Sequence, residues 1–334
     1  MNKISVNTLR ICVAPVPMLF YYFLQMFSDL RGIPVLGKRF NSEHFAIAAA
    51  LLANVIWGFS FLASRVALGH TAPSMLLCVR FILSFLIMLL LAVIGAGKLD
   101  LRGKPIGLFI LMGLCEPVIY FIAETNGIKY TTASFSGLMI SLIPIATALL
   151  SVVILKEHLT ARRFAWILCS VAGVIIISIN QTSEGIVRPL GIVCLLIAIL
   201  SAGFYTIISR KISGTFTPFE RTFIMMLLGF IVFTSHAVID AGAGFAGAFL
   251  DAVTDRYVIL PVIFLSVICS VVAFFSMNFS MTYLDASRVT SFSNIIPVVS
   301  VLAGVLLLGE PFSFVYVIGI IMILVGVIMV NKVS

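Results

Sequence analysis

Glu116, Tyr120 and Glu124 carry the densest chemistry in this sequence. Spaced four apart in one apolar run, they share a helix face. Glu116 lies about 11 residues into the run, roughly 16 Å along the axis at ~1.5 Å per residue. A carboxylate at the centre of a bilayer costs about 2.5–3.5 kcal/mol on insertion scales. It must therefore meet a wet cavity, a partner or a proton. Recognition of an amine or reversible protonation would use it chemically, and a hydrogen bond to a neighbouring helix would use it structurally. Pro117 follows and has no N–H for the Gly113 carbonyl, so the helix should bend there.

Arg80, seven residues into another apolar run, is the natural complement. It suits a carboxylate ligand, a partnership with Glu116 or Glu124, or snorkelling to the interface. Trp57, with Ser60 three residues on, offers an aromatic and a hydroxyl to one face, for lining a cavity or for packing. Pro144 and Pro297 fall in mid-run and free the carbonyls of Ile140 and Ser293. Ser141 and Asn294 precede them by three residues and could make polar contacts at the kinks; Gly137 and Ser141 also fit a small-residue packing face. Thr160 and Ser313 read as helix N-caps, with Glu157 and Glu310 organising the turns before them. The pair Ser60 and His236 raises a serine hydrolase, but no nucleophile elbow, zinc motif or acidic dyad accompanies them. No enzyme activity, metal or cofactor is expected.

The elements that must position these groups are membrane helices. Hydrophobic residues make up 61% of the 334-residue chain and charged residues 10%, far from soluble averages. Ten apolar runs are long enough to span about 30 Å of hydrocarbon: 45–68, 73–95, 105–125, 131–155, 163–180, 189–209, 222–240, 257–281, 287–308 and 313–331. Only helices or closed barrels satisfy backbone groups in lipid, and these runs are too long and uniform for barrel strands. Residues 1–44 form an N-terminal extension, read as interfacial or poorly ordered; residues 11–27 within it are apolar but short and carry Pro15 and Pro17.

The net charge of +8 lies in alternate loops, which argues against a nucleic-acid patch. Lys98, Arg102, Lys104, Arg162, Arg163, Lys211 and Arg221 are among the positive residues flanking one side, whereas the other side holds Arg65, Lys129, Arg188 and Arg256 beside the acidic Asp240, Asp251 and Asp255. The positive-inside rule makes the first side cytoplasmic, with both ends of the ten-helix core there. The six cysteines read as small buried hydrophobes.

The chain also repeats itself. Moved by 153 residues, Tyr130, Ala133, Pro144, Glu157 and Gly173 fall on Tyr283, Ala286, Pro297, Glu310 and Gly326. Moved by 145, Gly58, Ser64, Arg65 and Pro73 fall on Gly203, Ser209, Arg210 and Pro218. The Gly/Asp-rich stretch 240–255 absorbs the difference as a loop. The units are 45–180 and 189–331, each with five spans. Five is odd, so the second copy enters the bilayer inverted, as in alternating-access transporters.

These residues resemble a known family. Trp57-Gly58, Gly127-x-x-Tyr130-Thr131-x-Ala133, Pro144, Glu157-x-x-Thr160 and Gly173 form an ordered set. Tyr283-x-x-Ala286, Pro297, Gly309-Glu310-x-x-Ser313 and Gly326 repeat it. The pattern is similar to EamA-type repeats of the drug/metabolite transporter superfamily. That resemblance implies a ten-helix all-α membrane protein with cytoplasmic termini and a cavity between two inverted repeats. It also implies export of a small polar metabolite, such as an amino acid, from the cytoplasm across the plasma or inner membrane, with protons as a candidate coupling ion. The partners are then a small-molecule substrate and the lipid bilayer, the assembly a monomer or homodimer. A channel and a lipid-linked substrate flippase are the rival readings. Glu116-Pro117 lies outside the general repeat pattern.

Overall fold

Apolar runs in lipid have one way to satisfy their backbone amides locally, and the chain takes it. The computed structural model describes residues 42–95, 97–155, 160–183, 187–212, 214–284 and 292–332, and among these there are helices and no strands. Helices α1 (Ser42–Leu68), α2 (Pro73–Val93) and α3 (Ile106–Tyr130) are followed by a broken pair, α4 (Ala133–Ile140) and α5 (Ile143–Leu155). Then come α6 (Ala161–Ser183), α7 (Pro189–Ile212), α8 (Pro218–Ala241), α9 (Phe245–Thr254), α10 (Arg256–Tyr283), α11 (Ile295–Leu308) and α12 (Phe314–Lys332). Seven helical stretches among the described residues are long and apolar enough to cross a membrane, and three apolar helices are shorter. Large apolar side chains cover the outside: Val93, Ile239, Leu306 and Phe314 are each more than 70% exposed. Water would not tolerate a contiguous surface of that kind, and hydrocarbon does.

The packing order follows from small residues. Helix α6 lies along α12, with Gly173 against Gly319 and Gly326 against Ser170. Helix α2 packs on α8, α3 on α7, α1 on α10 and α11, and α4 on α11. Gly137 meets Ser300 at the last of these contacts, leaving no room for a larger side chain on either helix. Between α1, α3, α7, α10 and α11 the side chains become polar, and the site lies there.

Two expected boundaries move. Helix α8 begins at Pro218 rather than at residue 222. Thr217 accepts from the Glu220 N–H at 3.2 Å and Glu220 accepts from the Thr217 N–H at 2.8 Å, a capping box with proline at the first helical position. Arg221 is thereby inside a helix and not in a loop. The stretch 240–255 is not a plain loop either, because Phe245–Thr254 is helical. Phe245, Ala248, Phe249 and Ala252 fall at i, i+3, i+4 and i+7, one apolar stripe that packs towards α2 and α10. The N-terminal extension to residue 41, Glu157, Ala286 and the first residues of the ninth apolar run lie outside the described residues.

Candidate functional site

The site is built on a flaw in α3. Proline disfavours helical backbone angles at the residue before it. Glu116 sits at φ −142° and ψ 115°, extended, at a kink between two helical stretches within Leu114–Ile119. The Glu116–Pro117 peptide is cis. Ser201 on α7 donates to the Cys115 carbonyl at 2.7 Å, satisfying backbone that the break would strand. The bend expected at Pro117 is therefore present, and it presents Glu116 to a cavity.

That cavity encloses about 820 Å3 of empty space, its open mouth included. Its wall takes Asn54, Trp57 and Phe61 from α1, Arg80 from α2, and Glu116, Tyr120, Phe121 and Glu124 from α3. Tyr205 and Thr206 of α7 and Phe274, Met277 and Met281 of α10 close the other side. Both halves of the chain thus contribute.

Glu116, Tyr120 and Glu124 are all buried and all line the cavity, Tyr120 and Glu124 from one face of regular helix and Glu116 from the break before it. The Tyr120 hydroxyl donates to Glu124 Oε1 at 2.9 Å. Arg80 is buried beside them but forms no ion pair at contact distance with either glutamate, contrary to the simplest expectation. Its Nε donates to Ser270 Oγ at 2.9 Å, and its guanidinium lies 4.3 Å from the Phe121 ring centroid. Stacking on an aromatic face takes the place of a carboxylate contact. Arg80, Glu116, Tyr120 and Glu124 line one cavity, so charge on any one of them bears on the others. Two carboxyl groups, a phenol and one guanidinium in low dielectric form a single electrostatic unit.

Trp57 lines the cavity, donates Nε1–H to the Cys269 carbonyl at 3.3 Å and packs edge-on to Phe274. Ser60, beside it in the wall, spends its hydroxyl on the Trp57 carbonyl at 2.7 Å.

Pro144 lies inside the span Ala133–Ile154 just after a break in it, as its mid-run position predicts, and Pro297 follows a 3-10 turn. Each sits in the first turn of a helix, α5 and α11, where an amide N–H has no partner to lose. The chain breaks just before them, at 141–142 and at a 3-10 turn Phe292–Asn294. The cavity wall includes Ile140, Ile143 and Pro144 at one break and Ser293 and Ile296 at the other. Ser141 is not part of it: its hydroxyl donates to the Leu138 carbonyl at 2.6 Å, the local bond that serines in helices favour. Asn294 is also outside the wall, with Oδ1 buried and unbonded.

Glu310 goes well beyond its own turn. Its Oε1 accepts from the Ala133 N–H at 2.7 Å and its Oε2 from the Ser134 N–H at 2.9 Å, so it caps α4 from 176 residues away. A carboxylate at a helix N-terminus meets both free amides and the positive end of the dipole. Ser313 does act as an N-cap, accepting from the Tyr316 N–H at 3.3 Å.

Asn54, Tyr205, Thr206 and Arg221 are the polar groups in or near the wall that pattern reading did not single out. Asn54 and Tyr205 carry no distinguishing spacing. Arg221 had one, the Thr217-x-x-Glu220 box that starts its helix early.

The model of the EamA-like transporter family matches the chain twice, over residues 44–179 and 189–332. The chain is 29% identical over 285 residues to the uncharacterized transporter YcxC of Bacillus subtilis, covering 85% of this chain and 91% of that one. It is 24% identical to an uncharacterized transporter of Archaeoglobus fulgidus, covering 84% and 96%. A protein crystal structure superposes with a TM-score of 0.60 at 18% identity, over 86% of this chain and 97% of the other, a likeness of fold.

Proposed function

Because the chain belongs to the EamA-like transporter family, and is a multi-pass membrane transporter rather than an enzyme, we propose that it is a proton-coupled secondary transporter. It moves a small polar metabolite, an amino acid or a related compound, out of the cytoplasm by alternating access. The observation that carries this reading is the cavity between the two matched regions, with Glu116 and Glu124 buried in its wall. Acidic groups that line a cavity at membrane depth are expensive to keep, and proton and substrate pathways are where proteins keep them.

The unit we propose is ten helices in two inverted repeats, 45–180 and 189–331. Seven long spans and three shorter apolar helices support that count. So does the pairing of α6 with α12, α2 with α8, and α3 with α7 alongside α1 with α10, which maps onto itself when the halves are exchanged. The two chain breaks, 153 residues apart and both in the cavity wall, are where an inverted-repeat transporter carries its site. By the positive-inside rule both ends of the core face the cytoplasm and the membrane is the cytoplasmic one.

Alternating access needs an end that closes. In this reading Glu310 holds the outer end shut by capping α4, with Arg65 as the neighbouring positive charge.

In this scheme Glu116 takes up and releases the coupled proton, and Glu124, held by Tyr120, tunes that exchange. Proteoliposomes containing the purified chain test it with a labelled amino-acid and metabolite panel. Saturable uptake that grows with an imposed pH gradient is the expected result. Flux that rises linearly with concentration and ignores the gradient would refute it.

A further inference from the structure

Asn54 lies halfway along α1 and lines the cavity. Its side chain is fully buried. Nδ2 donates to the Ala50 carbonyl at 2.7 Å, one turn back on the same helix. Turning the amide over would set Oδ1 against that carbonyl oxygen, so the orientation is fixed. Oδ1 is then left without a donor among the described residues. Lipid supplies no donor at this depth, and an unpaired amide oxygen there costs free energy that an apolar side chain would not.

Three other wall residues follow the same pattern. Trp57 gives its N–H to the Cys269 carbonyl at 3.3 Å, Ser60 its O–H to the Trp57 carbonyl at 2.7 Å, and Thr206 its O–H to the Ala202 carbonyl at 2.8 Å. Their donors are spent on backbone, and the two hydroxyls keep only lone pairs to offer. The cation of the wall, Arg80, belongs to a different helix, α2, and is bonded to Ser270 and stacked on Phe121. Asn54 and its neighbours on α1 thus offer the cavity acceptors beside an aromatic ring. A positive charge in the cavity has the carboxyls of Glu116 and Glu124 to meet. A neutral amide oxygen suits a neutral donor.

We propose that Asn54 is a specificity-determining residue, whose Oδ1 accepts a hydrogen bond from a hydroxyl or carboxamide group of the transported molecule. A site built around such an acceptor rejects an analogue that lacks the donor, because the acceptor is then left unpaired in the wall. The substrate class narrows from small polar metabolites at large to those that carry a neutral hydroxyl or amide besides any charge. This rests on the transporter reading above and adds a recognition element to it.

Near-isosteric pairs in which one member lacks the donor test it: serine with 3-fluoroalanine, ethanolamine with 2-fluoroethylamine, and glutamine with glutamate γ-methyl ester. Thermal unfolding of the full chain in nanodiscs reads binding without transport. The expected result is a larger rise in Tm with the donor-bearing member of a pair, and no difference between the members in Asn54→Ala. In proteoliposomes the KM of the donor-less member should exceed that of its partner by about fivefold or more in the wild type, as one lost hydrogen bond implies, and the two should converge in Asn54→Ala. Asn54→Leu takes the place of Asn54→Ala if the latter does not fold. Failure of both to fold would overturn the proposal and leave a structural asparagine. Equal responses within every pair, a preference that persists without Asn54, or no wild-type Tm response to any of these compounds would overturn it as well. A Tm preference that depends on Asn54, found without saturable flux, would instead fail the transporter reading and spare the site.

Discussion

Helices α3 and α10 line the same cavity, and each departs from regular α-helix in mid-course, at a kink within Leu114–Ile119 in one and over a π-helical stretch Phe264–Ala273 in the other. The 153-residue offset sets Glu116 against Cys269, Tyr120 against Ala273 and Glu124 against Met277. The irregular backbone occurs twice and the ionisable stripe once. The two buried arginines are equally unmatched, because the 145-residue offset sets Arg80 against Met225 and Arg221 against Leu76. Duplication supplies the scaffold of both halves, and the ionisable groups were placed in one copy or the other.

Losing the cation beside the acid stripe has the largest expected effect. Arg80→Leu removes the hydrogen bond to Ser270 and the stacking on Phe121, and should cost about 3 kcal/mol in thermal unfolding. Adding Glu124→Gln should recover part of that, and no recovery would mean the groups are not coupled. Moving the acid is the next test. Cys269→Glu puts a carboxyl into apolar packing against α1, at a cost of about 2.5 kcal/mol, and paired with Glu116→Cys it should not restore gradient-driven flux. Restoration would make the halves interchangeable and erase the distinction.

Glu310→Gln should lower unfolding stability by about 1 kcal/mol, because a neutral amide caps α4 less well than a carboxylate. Unfolding in detergent measures it, and an unchanged Tm would show that the cap is not under load. Tyr120→Phe is the smallest perturbation. It removes one hydrogen bond to Glu124 and should change flux by about threefold to fivefold while the fold is kept.

Much of this arrangement is legible in the residues. Apolar run lengths announce the helices, and Glu116 before Pro117 announces both the break and what it displays, since each rests on a local rule. Arg80 shows where local rules end. Its depth is readable, but whether a guanidinium reaches a carboxylate or lies on Phe121 depends on the crossing of α2, α3 and α10. Ser141 fails for the opposite reason. Its local option, a bond to the Leu138 carbonyl, outcompetes the cavity contact expected of it. Glu310 required a contact spanning 176 residues. Arg221 was within reach, because Thr217, Pro218 and Glu220 set the helix start that carries it into the core.

Glu116 tests the central claim most directly. Proteoliposomes with wild-type chain and with Glu116→Gln are compared for flux under a pH gradient and for counterflow exchange without one. The account predicts that the variant loses gradient-driven flux by about a hundredfold while counterflow survives, as for an interaction that only the coupling step uses. A variant that responds to the gradient as fully as the wild type would contradict it.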